Sequence, residues 1–291
     1  MAPTLAGLLL GVVGIVGVLL IDAVSFLIAI TALALVYIPQ PQASAEGQAA
    51  RGSLWQESLY GFRYILARPS LLGLQLVFMG VNLLFAFFAG LLAPMILARS
   101  ASNASVLGTV LAAQGLGGLT GGLAMGLWGG PKRRVHGVLL GMAFSGIFGV
   151  ALMGLGQTTL VWVVAGLVCG ALTPVLNGSN QAIWQAKVAP DVQGKVFAAR
   201  RMIAQLIFPI ALLAAGPLAD RFFEPAMRAG GWLAPTLGPL FGVGPGAGMG
   251  LLICVSGLIS VLISLAGYLV PAIREAEDRL PDQQAVIHPA V

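Results

Sequence analysis

The chain has 291 residues, of which 58% are hydrophobic and 9% charged, with a formal net charge of +5. Soluble domains carry charge on roughly a quarter of their residues, so this composition, with a mean hydropathy of +0.95, excludes one and points to an integral membrane protein. The cations are spread over short loops between apolar runs rather than gathered in one patch, which excludes nucleic acid as a partner. Cys169 and Cys254 sit inside apolar runs and His136 and His288 outside them, so neither a disulfide framework, a metal site, a cofactor nor a buried catalytic centre is expected.

The apolar runs do not alternate polar and apolar residues, which excludes a β-barrel and leaves an all-α bundle. The first run, residues 3–38, is 36 residues long. As one helix it would measure about 54 Å, too long for a hydrocarbon core of about 30 Å and too short for two spans. Gly14 and Gly17 interrupt it. A half-span over Thr4 to Val16 followed by a full span from Val18 to Ile38 resolves the length and brings Asp22 into a first turn near an interface, where a helix dipole favours a carboxylate. A signal peptide would need a basic start and a small-residue cleavage site, and neither is present.

Residues 39–52, PQPQASAEGQAARG, form a polar, proline-bearing linker. Beyond it Trp55, Leu59, Phe62 and Leu66 recur at helical spacing and predict an amphipathic helix, either on the membrane surface or against the ends of the bundle. Six full spans follow, over Leu71 to Ala98, Ser105 to Trp128, Val135 to Leu155, Leu160 to Asn180, Ala199 to Ala219 and Gly248 to Pro271.

Placing the loop 39–70 in the cytoplasm puts Arg51, Arg63, Arg68, Lys132, Arg133, Arg134, Lys187, Lys195, Arg200, Arg201, Arg274 and Arg279 inside. Only Arg99, Arg221 and Arg228 fall outside. Twelve cations against three predict a cytoplasmic C-terminus in an inner (plasma) membrane.

Within the second of these six spans Gly118, Gly122 and Gly126 recur every fourth residue, with Gly117 and Gly121 beside them, and predict a smooth face for close helix packing. GGPKRRVHG lacks the Lys and hydroxyl order of a phosphate loop. It reads as a tight cytoplasmic turn anchored by Lys132, Arg133 and Arg134. In the last span Ser256, Ser260 and Ser264 form another small-residue face. The outer segment from Asp220 to Ala247 reads as a long loop whose Phe222, Phe223 and Trp232 suit a membrane interface.

Polar residues inside spans carry the functional signal. Gln75, Phe78, Met79 and Asn82 share one helical face, as do Thr173, Asn177, Asn180 and Trp184. A lipid-facing amide would lack partners, so these stripes line either a wet, substrate-bearing cavity or an interhelical hydrogen-bonded contact. Asp22 and Asp220 both fall at span ends, which leaves no carboxylate placed for proton coupling.

The segments IDAVSFLIAI (21–30), GFRYILARPSLLGL (61–74), QGKVFAARRM (193–202) and GPLADRFFEP (216–225) resemble major facilitator superfamily transporters, and more narrowly the bacterial efflux group of macrolide and siderophore exporters. The resemblance implies a C-terminal portion of a two-bundle, N-terminally truncated architecture. In it residues 1–38 are the end of a fifth and a complete sixth helix, 39–69 a cytoplasmic linker, 70–273 the second six-helix bundle, and 274–291 a cytoplasmic tail. It also implies an antiporter-like export of a small amphipathic molecule by alternating access, with Gln75, Asn82, Thr173, Asn177 and Asn180 on the substrate pathway and a missing first bundle as partner. Gly126 and Leu127 stand where the family's turn has an Asp-Arg pair, which leaves a gating salt bridge there in doubt. A non-transporting membrane fragment, or a helper half that pairs with a separate first bundle, is the alternative. An enzyme is not expected.

Overall fold

The computed structural model describes residues 2–36, 44–49 and 52–283, and the chain divides into two compact units, 1–42 and 43–291. In the first unit, α1 (Ala2–Leu35) is helical except at Gly14, whose φ of 66° and ψ of 177° break the rod. Only glycine adopts that conformation without strain. The break falls inside the expected half-span Thr4 to Val16, ahead of the expected junction between Val16 and Val18. Asp22, however, lies eight residues past Gly14, about 12 Å along the second segment, and so is not in its first turn. Ile38 and the linker residues 39–43, 50 and 51 lie outside the described residues.

In the second unit, α2 (Ala45–Ala49) and α3 (Leu54–Leu66) precede α4 (Pro69–Arg99), α5 (Ala104–Trp128), α6 (Arg134–Leu155), α7 (Thr159–Lys187) and α8 (Gln193–Met227). The short α9 (Ala234–Phe241), the span α10 (Ala247–Leu269) and two single turns, α11 (Pro271–Arg274) and α12 (Ala276–Arg279), complete it. Among the described residues seven helices are long and apolar enough to cross a membrane, namely the Val13–Leu35 segment of α1 together with α4, α5, α6, α7, α8 and α10. The architecture is an all-α membrane bundle.

Two spans outrun their expected limits. α7 continues seven residues past Asn180 because Ile183, Trp184 and Lys187 are buried at its end. α8 has 35 residues, about 52 Å. Its start packs beside α3, where a Cβ on Gly61 would meet the Lys195 carbonyl at 2.3 Å. Its far end passes through a π-turn at Ala219–Phe223 into a last turn that holds Glu224. The stretch from Asp220 to Ala247 is thus largely helical rather than a long loop, with Asp220, Arg221 and Arg228 exposed and Glu224 buried.

The bundle is apolar outside and has a core of large apolar side chains such as Leu71, Phe88, Met95 and Trp184, while small residues make its closest helix contacts. Leu116, Leu119, Leu123 and Leu127 of α5 are exposed, as a lipid-facing stripe requires, while the opposite side of α5 lies against α7. There a Cβ on Gly117 would meet the Leu167 carbonyl at 2.2 Å, and one on Gly121 the Ala171 carbonyl at 2.1 Å. Gly118 and Gly122 sit at the rim of this contact and Gly126 faces open space. The expected stripe of Gly118, Gly122 and Gly126 is therefore corrected by one residue around the helix. Two neighbouring rows of small residues compete for the interface, and the row continued on α7 by Gly170, against the Gln114 carbonyl, wins. Ser256, Ser260 and Ser264 are buried as expected. Ser260 and Gly257 meet Gly146 of α6, and each hydroxyl returns its hydrogen to a carbonyl of its own helix.

Charged side chains fasten both ends. At the end of α4, Arg99 donates to the carbonyls of Gly246 at 3.1 Å, Phe241 at 2.9 Å, Gly154 at 3.2 Å and Gly156. The buried Glu224 accepts from the Gly246 and Met249 amides at the start of α10, supplying acceptors that a helix N-terminus otherwise lacks. At the other end Lys187 donates to the carbonyl of Leu280 at 2.6 Å and pairs with Asp282 at 2.8 Å. The turn before α6 needs glycine, with φ of 78° at Gly129 and 85° at Gly130.

α3 starts on a capping box between Ser53 and Gln56 and packs against the bundle. The packed face is Gly61, Tyr64 and Ile65, whereas Trp55 and Leu66 of the expected apolar stripe are 74% and 64% exposed. The close approach at Gly61 sets this rotation. Burial pushes the Tyr64 phenol well above its usual range, against the opposing pull of the Arg68 guanidinium stacked 3.4 Å from its ring centroid.

A methyl group at position 121 has backbone in its way, whereas one at 126 does not. Gly121→Ala is expected to lower bundle stability by about 1–3 kcal/mol and Gly126→Ala to leave it unchanged or slightly raised, as read by thermal unfolding of the purified protein in detergent.

Candidate functional site

Between the two packed ends, α4, α6, α7, α8 and α10 leave two adjoining openings. One, of about 650 Å³, is bounded by Asn82 and Phe85 of α4, Ser145 of α6, Thr173 and Asn177 of α7, and Ser256 and Ser260 of α10. The other, of about 1000 Å³, is bounded by Gln75, Asn180, Gln181, Arg200, Arg201 and Gln205 among others. Phe78, Asn82 and Asn177 border both. The five residues singled out in the sequence thus come together around these two adjoining openings, together called the recess.

Their hydrogen bonds fall into two kinds. On α4, the Gln75 side-chain amide donates to the Arg200 carbonyl at 3.0 Å and Asn82 donates to the Ala204 carbonyl at 3.3 Å. Both bridge to α8, so these residues line the recess and hold two helices together at once. On α7 the bonds stay within the helix. Thr173 donates to the Cys169 carbonyl at 2.8 Å and Asn177 to the Thr173 carbonyl at 3.1 Å, while Asn180 accepts from the Trp184 indole at 3.1 Å. Such back-bonding satisfies a polar side chain without a neighbour and leaves its remaining groups available. Met79 shares the α4 face but does not border the recess, and Trp184 is fully buried beside Asn180.

Sequence reading missed the α8 wall. Arg200 and Arg201 were expected only as cytoplasmic-side cations at the very start of the span beginning at Ala199. They lie instead seven and eight residues inside α8. Arg200 donates to the Gln181 side-chain oxygen at 2.8 Å, and its guanidinium lies 5.0 Å from the Trp184 ring and 5.9 Å from Phe197. The signal that could have found it is helical spacing, since Phe197, Arg200 or Arg201, Ala204 and Gln205 recur at intervals of three and four.

The cations of the turn lie elsewhere. Arg133 pairs with Asp278 at 3.1 Å and Arg134 donates to the Ala182 carbonyl at 3.0 Å, whereas Lys132 is exposed. Glu277 accepts from the Val135 amide at 2.9 Å and His136 bonds the Tyr268 hydroxyl at 2.8 Å. The turn therefore docks onto the segment after α10. Among the described residues no group of three or more His, Cys, Asp or Glu is placed to hold a metal ion.

Amphipathic rods surrounding a partly polar recess define a polytopic membrane protein of the solute-handling kind rather than an enzyme. The family description "Major Facilitator Superfamily" matches residues 1–212, and the chain belongs to that family. A macrolide efflux protein A of Streptococcus pyogenes is 31% identical over 107 residues, 36% of this chain and 26% of that protein. A macrolide efflux protein A of Enterococcus faecalis is 31% identical over 98 residues, 33% of this chain and 30% of that one. The matched stretches span between a quarter and a third of the length of these curated relatives. No solved structure gives a significant match.

The contrast between α7 positions is measurable. With Cys169 and Cys254 replaced by Ala, a cysteine at the exposed Asn177 is expected to react with a small water-soluble thiol reagent about tenfold faster than one at the buried Ser179.

Proposed function

We propose that this chain supplies the substrate-facing bundle of a secondary transporter that exports small amphipathic compounds by alternating access. The observation that carries the reading is the recess between α4 and α7, where aromatic and amide side chains from two spans meet inside an otherwise apolar bundle. An amphipathic solute needs both, an apolar wall for its body and a few placed hydrogen-bonding groups for orientation. The naming of the relatives as macrolide efflux proteins supports export over uptake.

In this reading residues 70–273 move as one body that rocks against a second bundle, with Gln75, Asn82, Thr173, Asn177 and Asn180 on the path. Residues 1–38 belong to that second bundle, 39–69 form the cytoplasmic connector and 274–291 the cytoplasmic tail. The membrane is the plasma (inner) membrane. The fastenings at both ends of the bundle support such rigid-body movement, since they tie spans to one another rather than to anything outside.

Export is tested in cells that express the chain with and without a first six-helix bundle from a major facilitator efflux protein, using a panel of fluorescent amphipathic dyes. Asn82→Ala and Asn177→Ala are expected to lower export at least about fivefold at equal amounts of membrane-inserted protein. Unchanged rates and unchanged substrate range in both variants would overturn the assignment of the recess.

Orientation is checked separately, with single cysteines at Ser102 and Gly130 in a background lacking the native pair. Impermeant reagent applied outside intact cells is expected to label position 102 and not position 130. The reverse pattern would invert the topology.

A further inference from the structure

We infer that the α8 side of the recess is an anion site, and that the compounds it takes are amphipathic carboxylates or sulfonates rather than cationic amphiphiles. The inference rests on the transport reading above and narrows it. Arg200 is the central observation. Its guanidinium is held by Gln181 at 2.8 Å and lies over Trp184 and Phe197. Among the described residues it makes no ion pair. Arg201 borders the same opening, and no Asp or Glu does.

A guanidinium carries five donors in a planar fork that fits a carboxylate or sulfonate with two parallel bonds. Stacking on Trp184 fixes the plane of that fork, and the single bond to Gln181 leaves donors over. A cation taken into a span ordinarily faces a cavity and marks what the cavity binds. Phe78 of α4 and Phe197 of α8, which border the same opening, provide the apolar contact for an aromatic body attached to the acid.

The test uses the full chain, purified into phosphatidylcholine nanodiscs, and three ligands of one shape measured by equilibrium dialysis: 1-naphthoate, neutral 1-naphthamide and cationic 1-naphthylmethylamine. Wild-type protein is expected to bind naphthoate about tenfold more tightly than the other two. Arg200→Gln is expected to abolish that preference, lowering naphthoate affinity about tenfold more than naphthamide affinity while the protein stays folded by thermal unfolding, and Arg200→Lys to restore it in part. Equal binding of all three ligands would overturn the anion site and leave the recess as a general amphiphile pocket. A stability loss in Arg200→Gln together with no naphthoate preference would assign the guanidinium to holding the bundle together, which also overturns it. Loss of naphthoate binding in nanodiscs containing phosphatidylglycerol would assign the site to a lipid headgroup and overturn a soluble substrate. If no ligand binds, and Asn82→Ala and Asn177→Ala also leave export unchanged, the transport reading falls with it.

Discussion

A side-chain amide inside a bilayer has no bulk water to bond, so it must reach protein or a hydrated recess, and this constraint organises the bundle. It explains why the polar residues of α4 and α7 border the same openings and are bonded to α8 or within α7, while Leu116, Leu119, Leu123 and Leu127 point outward. It also explains the chemistry of the packed faces. With no hydrophobic drive between helices in lipid, close association relies on backbone contact. Gly117 and Gly121 let α5 lie directly on the carbonyls of α7. The recess lies on another side of α7, where Thr173 and Asn177 face away from α5.

The same constraint determines which features the sequence exposes. Apolar length and cation placement reveal the spans because both are properties of single segments. The amides of α4 and α7 are legible for a related reason, since a polar residue in an apolar run stands out and helical spacing shows which residues share its face. Which of two adjacent glycine rows meets a partner is not legible. The choice between Gly117 with Gly121 and Gly118 with Gly122 depends on what α7 presents, and nothing within α5 encodes that. Asp22 was misplaced because the helix was started at Val18, whereas the only non-helical backbone in α1 is at Gly14.

Arg200 escaped for a deeper reason. Its neighbours Lys195 and Arg201 make the segment look like the flank of a span, and the cation rule treats flanking charges as topological markers. The structure assigns them separate places. Lys195 pairs with Glu57 at 3.0 Å on the α3 side, while Arg200 turns inward over Trp184. A guanidinium can do this because its flat faces tolerate aromatic contact while its edge still donates. The extension of α7 to Lys187 was hidden by the same rule, since that lysine is buried and bonded to the segment after α10 rather than marking a boundary.

The unequal bonding of the two polar stripes gives the recess one stiff side and one adjustable side. Gln75 and Asn82 are tied across to α8, so the distance between α4 and α8 is set by cross-links that a guest molecule would have to break. Thr173 and Asn177 bond only within α7, and their rotamers can change without parting any two helices. In the proposed transport role, a visitor of unfamiliar outline would be gauged against the first wall and accommodated by the second, so that a single chamber could accept variety in shape without widening its frame.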